Sequence, residues 1–234
     1  RGDVHCFPSR VDADHFRRTG HWVDPALQAM LPHPRLGFCG VLDERSDLAL
    51  FAALAQARPH WQIIGVGPVV KIDPASLPRA PNLHWLGPQR YADLPALMHG
   101  WDVALMPFAL NEATRYISPT KTLEYLAADL PVVSTAIEDV VRSYPGVVRI
   151  ASGSETFVLA CEASLRLGAQ PLESAARRES LRKTSWERTA NGMQRLLISA
   201  HKRVPAERPP TSPHPGQLAD AALLTRAAGA LGPA

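Results

Sequence analysis

The stretch Ser118-Pro119-Thr120-Lys121-Thr122-Leu123-Glu124-Tyr125 holds the residue types best suited to chemistry in this chain. Ser118 predicts a helix N-cap and Pro119 the first helical position, where a missing N–H costs nothing. Lys121 then falls at the third helical position, where a capping box carries Glu or Gln. A cation there opposes the helix dipole. Unpaired amides plus a lysine at a helix start suit an anion such as a phosphate. Glu124 follows three residues later, on nearly the same face and ~4.5 Å further along the axis. A cation for a diphosphate and, one turn deeper, a carboxylate accepting from ribose hydroxyls would together hold a nucleoside diphosphate. The plain alternative is a solvated i,i+3 ion pair worth about 0.2–0.5 kcal/mol.

Such residues need a frame, and the pattern from Arg35 to Arg149 supplies one. Short apolar runs at Leu36–Val41, Trp61–Val66, Asn82–Leu86, Asp102–Met106, Pro131–Ser134 and Val147–Ile150 predict strands. Between them, Leu48, Phe51, Ala52 and Ala55 have helical spacing, and Tyr91–Met98 and Thr120–Ala128 predict further helices. Strands without polar alternation, separated by helices, indicate a parallel sheet covered on both faces. The expected class is α/β, a doubly wound Rossmann-like sheet. Three consecutive helices, Glu155–Arg166, Leu172–Arg182 and Trp186–Ala200, should follow it. Ligands of such sheets bind at the carboxyl ends of the strands. The loops expected there are Gly40–Arg45, Gly65–Pro68, Gly87–Arg90, Pro107–Pro119 and Thr135–Asp139. Gly65 and Gly67 lack the third glycine and the helix of a dinucleotide fingerprint, so an NAD site is not indicated.

Composition narrows the classes. The 234 residues are 46% apolar and 20% charged, which excludes a wholly disordered chain. A net charge of +3 is too small to indicate nucleic-acid binding. No apolar run approaches the ~18 residues of a membrane span, and no signal-peptide layout is visible at Arg1. Cys6, Cys39 and Cys161 are odd in number and far apart, which argues against a disulfide framework or a zinc site and for a reducing, cytoplasmic compartment. Nine scattered histidines show no metal-ligand spacing, and His84 is expected to be a satisfied core group. Trp22, Trp61, Trp85, Trp101 and Trp186 are expected to pack, and Asp102 to cap the amino end of its strand. The Arg177-Arg178 and Arg182-Lys183 cluster is read as a solvated helix face, with a membrane surface as a second reading. Val204–Pro215 is too proline-rich to pack.

The segment Ser118-Pro-Thr-Lys-Thr-Leu-Glu-Tyr-Leu-Ala-Ala-Asp-Leu-Pro-Val-Val-Ser134 resembles the signature of GT-B-type, family-4-like glycosyltransferases. Asn82-Leu-His-Trp-Leu-Gly-Pro88, Tyr91-Ala-Asp-Leu-Pro-Ala-Leu97 and Trp101-Asp-Val-Ala-Leu-Met-Pro107 are similar to the family's strand–Gly–helix–strand run. Phe7–Phe16 resembles its inter-domain linker, and Ser185-Trp-Glu-Arg188 the start of its last helix. The resemblance covers about Val4 to Ala200. It implies half of a GT-B architecture: 1–34 as linker and remnant of an N-terminal domain and 35–203 as the nucleotide-sugar-binding domain with its C-terminal helices; the Pro-rich composition of 204–234 predicts a disordered tail.

The same resemblance implies a donor site. Glu124 would bind ribose; Lys121 and the amides of Thr120 and Lys121 would hold the diphosphate, with Ser118 at the same helix start. The Gly87–Arg90 loop would meet the base through backbone contacts of Gln89 or Arg90, and Gly40 would line the phosphate end. The family's Arg after that glycine is Val41 here, and its nearby Lys appears as Arg45, leaving Arg45 as a second cation for the diphosphate. Tyr116 stands where many members carry a Glu that touches the sugar. The implied activity is retaining hexose transfer from a UDP- or GDP-linked sugar to a glycan or lipid-linked acceptor, with no metal or cofactor and no nucleic acid. The expected location is the cytoplasm, at most against the inner face of a membrane. Because the acceptor domain would be missing, the chain is expected to be either a truncated polypeptide or a subunit that needs an N-terminal-domain partner subunit. The alternative is a non-catalytic nucleotide-sugar-binding module that completes a partner, and a third reading is a nucleotide-sugar epimerase.

Overall fold

Six apolar runs form the strands β1 (Arg35–Cys39), β2 (Gln62–Val66), β3 (Leu83–Trp85), β4 (Val103–Met106), β5 (Val132–Thr135) and β6 (Val148–Ala151) in a computed structural model. It describes residues 4–17, 23–167, 171–184 and 186–203. The expected tail, together with Trp22 and Ser185, lies outside those residues. All six strands are parallel and are ordered β3-β2-β1-β4-β5-β6. Every one lies within two residues of its expected run. The doubly wound α/β reading therefore holds.

The chain divides into two compact units, Arg1–Asn191 and Gly192–Ala234. The first contains the sheet. Its helices are α1 (Ala13–Phe16), α2 (Ala26–Ala29), α3 (Leu48–Ala57), α4 (Leu94–His99), α5 (Lys121–Ala127), α6 (Glu138–Ser143), α7 (Ser154–Leu167) and α8 (Pro171–Lys183), and it holds the start of α9 (Trp186–Arg203). Described residues of the second unit are the last turns of α9. The short α1, α2 and α6 have no apolar period long enough to predict them. The helix expected from Tyr91 begins as a 3₁₀ turn, Tyr91–Asp93, and becomes α-helical only at Leu94, with Pro95 in the first turn, where proline is tolerated.

Alternate side chains of a strand face opposite ways, and here both faces are apolar. Leu36, Phe38, Ile63, Val103, Leu105 and Val133 pack with Phe51 and Leu54 of α3 and Phe157 of α7. Cys39, Ile64, Val66, Ala104, Met106 and Val132 pack with Phe16 of α1, Leu97 of α4, and Leu123, Tyr125 and Leu126 of α5. Trp61 and Trp101 are buried as expected, whereas Trp186 is 61% exposed and does not take the packing role expected of it. At the amino end of the sheet, Asp102 accepts from the Arg35 amide and from His33 Nδ1, both at 2.7 Å, which makes it the expected cap. His84 bonds Gln62 Oε1 through Nε2 at 2.7 Å. All three cysteines are free.

One surface expectation is corrected. Arg177 is 2% exposed rather than solvated, because α8 packs on α5 and the guanidinium is buried against the Asp129 carboxylate. Asp129 follows the end of α5 with φ +58°, the left-handed conformation in which a helix normally ends on glycine. An aspartate here accepts that strain and supplies the counter-charge. Asp129→Gly relieves about 1 kcal/mol of strain but strands a buried cation, which costs about 3–5 kcal/mol. It should therefore lower stability by about 2–4 kcal/mol in urea unfolding. The double variant Asp129→Gly/Arg177→Met should recover most of that loss; recovery of none would sink this account of the pair.

Candidate functional site

The strand order reverses between β1 and β4, and crevices at such switch points, outside the carboxyl ends of the strands, are where these sheets take ligands. The β1–β4 register covers only Leu36↔Val103 and Gly37↔Ala104, while β1 continues beside β2 to Cys39↔Val66. The two central strands thus part at their carboxyl ends. Tyr125 of α5 fills the gap: its fully buried hydroxyl accepts from the Cys39 amide at 2.7 Å and donates to the Cys39 carbonyl at 3.3 Å. Burial pushes the Tyr125 hydroxyl well above the usual phenol range, so it stays protonated and can serve both groups.

Beside this gap, Lys121 Nζ lies 2.7 Å from Glu124 Oε2. Glu124 is only 9% exposed and the Lys121 side chain 24%. A part-buried pair replaces the solvated pair of the plain reading. Burial raises the Cys39 thiol to about 11, while Lys121 pulls it down and Glu124 pushes it up, so both α5 charges bear on the end of β1. Tyr91 is raised first by burial and then by Glu124, which sets it near the same carboxylate. Its ring stacks on His15 at 4.4 Å with 9° between the planes.

The helix start differs from expectation. α5 begins at Lys121, with Thr120 at the cap position and no side-chain cap bond, so Lys121 is the first helical residue rather than the third. Ser118 is not the N-cap: its hydroxyl bonds Asp139 Oδ2 on α6 at 2.8 Å. The interrupted turns of the preceding loop, held by the buried Thr114, delay the helix by two residues.

Three glycines join the carboxyl ends of the first three strands. The Gly67 amide donates to the Gly87 carbonyl at 2.9 Å, and the Gly40 amide to the Val66 carbonyl at 2.9 Å. A Cβ at Gly67 would lie 1.8 Å from the Gly40 oxygen, which explains a glycine there without any dinucleotide fingerprint. Gly87 has φ +67° and turns the chain into the loop in which Gln89 Nε2 bonds the Leu86 carbonyl at 3.0 Å. Arg90 forms a bidentate pair with Asp93, at 2.7 and 3.0 Å. Arg45 is similarly engaged: its Nε and Nη2 contact Asp43 at 3.0 and 2.6 Å. Burial of Asp43 pushes its carboxyl upward, but the hydrogen bonds from Arg45 outweigh this and hold it below the usual range. Tyr116 is 81% exposed, with the Arg115 guanidinium over its ring at 5.2 Å.

So the fold brings Lys121, Glu124 and Gly40 to one crevice, ties Ser118 to α6, and occupies Arg45 and Arg90 with neighbouring carboxylates. Tyr125, Tyr91 and Asp139 carry interactions here that spacing did not single out; only the place of Tyr125, next to Glu124 in an apolar helix, could have drawn attention to it. Among the described residues no group of three His, Cys, Asp or Glu side chains could ligate an ion. A separate cleft of about 940 Å³, lined by Asp12, Asp129, Arg177 and Trp186 among others, lies at the opposite end of α5.

Comparison with known proteins follows the same geometry. The model of the family described as Glycosyl transferases group 1 matches residues 33–166. TuaH of Bacillus subtilis (strain 168), provisionally named a teichuronic acid biosynthesis glycosyltransferase, is 29% identical over 192 residues, 80% of this chain and 48% of its own. Sucrose-phosphate synthase from Thermosynechococcus elongatus superposes with a TM-score of 0.59 at 18% identity, over 83% of this chain and 52% of its own. Anabaena HepE, solved in complex with UDP-glucose, superposes with a TM-score of 0.60 at 14% identity, over 82% of this chain and 56% of its own. These structural likenesses speak for the fold. The chain spans about half the length of each of these relatives. The family match runs from the residues before β1 through α7, more than half of the chain, and on that ground this protein belongs to the Glycosyl transferases group 1 family.

Proposed function

We propose that this chain binds the nucleotide-diphospho-sugar donor of a retaining hexosyltransferase that extends a glycan or lipid-linked acceptor. The observation that carries the reading is the part-buried Lys121–Glu124 pair at the switch point. As a purely structural feature such a pair recovers little of its desolvation cost. With a ligand present, Glu124 can accept from ribose hydroxyls and Lys121 can turn to the diphosphate. Lys121 and nearby amides, including those of Thr120 and Lys121, would stabilise charge as it develops on the departing diphosphate. The proposed step needs no metal or cofactor. Gly87–Arg90 would border the base and Gly40 the phosphates, with Tyr116 toward the sugar. UDP is the nucleotide to test first, since HepE was solved with UDP-glucose; the name of TuaH supports an acceptor of the kind used in teichuronic acid biosynthesis. The widely spaced free cysteines support the cytoplasm as the compartment, at most against the inner membrane face. Among the described residues no helix is long and apolar enough to cross a membrane.

A second reading, a nucleotide-sugar-binding module or subunit that completes a partner, draws support from Arg45. Its pairing with Asp43 leaves Lys121 to carry most of the charge a transferase would need.

A thermal-shift panel of UDP, GDP, ADP, CMP and pyrophosphate tests both. A ligand at ~100 times its Kd adds about 2.7 kcal/mol, a rise of several degrees in Tm. One nucleoside diphosphate should stabilise the wild type, and Glu124→Ala should abolish that response. A cooperatively melting protein that no nucleotide shifts would contradict the reading. Lys121→Ala should weaken UDP by about tenfold or more, the worth of a charge-assisted bond, and leave uridine nearly unaffected in calorimetric titration. Equal weakening of both would remove Lys121 from the diphosphate. Sugar transfer to acceptor by the wild type, assayed with its partner domain, separates the enzyme from the module.

A further inference from the structure

The lapse in the β1–β4 ladder gives Tyr125 a task beyond filling space. β1 runs on past its last partner in β4, so one edge of Cys39 has no strand to pair with. A buried amide and carbonyl left so would each forfeit a hydrogen bond. One hydroxyl serves both, at 2.7 and 3.3 Å. The residues on either side of this contact are those of the candidate site. Glu124 precedes Tyr125 and Lys121 lies one turn earlier on α5, while Gly40 follows Cys39 and its amide is held by Val66. Further out, the loops after β1 and β4 are joined by Asp47 N–H to Pro107 O and Ala109 N–H to Arg45 O, both at 2.8 Å. Tyr125 is therefore the deep tie across the crevice, and it joins the α5 wall directly to the β1 wall.

Resting on the nucleotide reading above, we propose that Tyr125 is a positioning residue: its hydroxyl sets the separation between Lys121–Glu124 and the Gly40 turn, and so the width of the diphosphate cradle. Without it the Cys39 backbone must seek another partner, and the Gly40 turn shifts relative to α5. The loss then falls on the second phosphate, which must reach both walls, more than on the nucleoside.

Tyr125→Phe keeps the ring and removes the hydroxyl. Kd values for UDP and UMP, measured by calorimetry well below Tm, should show UDP weakened by about tenfold or more and UMP by much less. Leu54→Ala, which loosens the α3 face of the sheet, is the stability control: it should lower Tm and leave the UDP-to-UMP ratio as in the wild type. A ratio unchanged in Tyr125→Phe, with the wild type binding UDP, overturns the positioning role alone. A wild type that binds neither nucleotide overturns the nucleotide reading and this role with it. If Tyr125→Phe does not fold, amide exchange on the wild type decides: the Cys39 amide must be as protected as that of Gly37, and rapid exchange would overturn the tie.

Discussion

Keeping the Glu124 carboxylate at the dry edge of a parallel sheet is the constraint on which the rest of the carboxyl end depends. A buried carboxylate must be paired, and the pairing cation must come from a place that solvent and ligand can still reach. Lys121, one turn earlier at the start of α5, meets both conditions. The geometry in turn requires α5 to lie tightly over the sheet, which its apolar residues Leu123, Tyr125 and Leu126 ensure by packing with Val132 and Ala104. The polar groups of this helix are thus carried on an otherwise hydrophobic element, tied to the sheet by the Tyr125 hydroxyl at Cys39.

Both ends of α5 are used in this way. At its start a cation and a carboxylate are poised at the crevice; at its end Asp129 receives Arg177 from α8 and holds that helix against α5. The two pairs differ in what surrounds them. Arg177 is enclosed and serves packing, whereas Lys121 keeps part of its surface toward the crevice. Elsewhere along the ligand edge the fold neutralises its cations locally, Arg45 with Asp43 and Arg90 with Asp93. Lys121 is paired as well, with Glu124, and differs in that both members of its pair stand on α5 and are part-buried.

Much of the fold was legible in sequence because buried parallel strands are written as unbroken apolar runs, and Gly or Pro closes most of them. Ile63-Ile64-Gly65-Val66 and Val103-Ala104-Leu105-Met106 are examples. Lys121 and Glu124 were legible as a pair from their one-turn spacing, but that spacing also fits a solvated ion pair, and only the docking of α5 on the sheet makes the pair part-buried. What spacing could not show was tertiary. The helix start depends on how the loop around Thr114 is hydrogen-bonded, so Ser118 looked like a cap but turns to Asp139. Arg177 reads as one of several surface arginines until α8 is docked on α5. Tyr125 reads as core until the parting of β1 and β4 is known.

The central claim is that a nucleoside diphosphate lies across the β1–β4 crevice, held by the start of α5. The most direct measurement is an amide-resolved NMR titration of the ¹⁵N-labelled chain with UDP, then with GDP. The account predicts saturable shifts at Gly40–Leu42, Gly87–Arg90 and Thr120–Glu124. Shifts confined to α1 and α8 around Arg177, or none with either nucleotide, would contradict it.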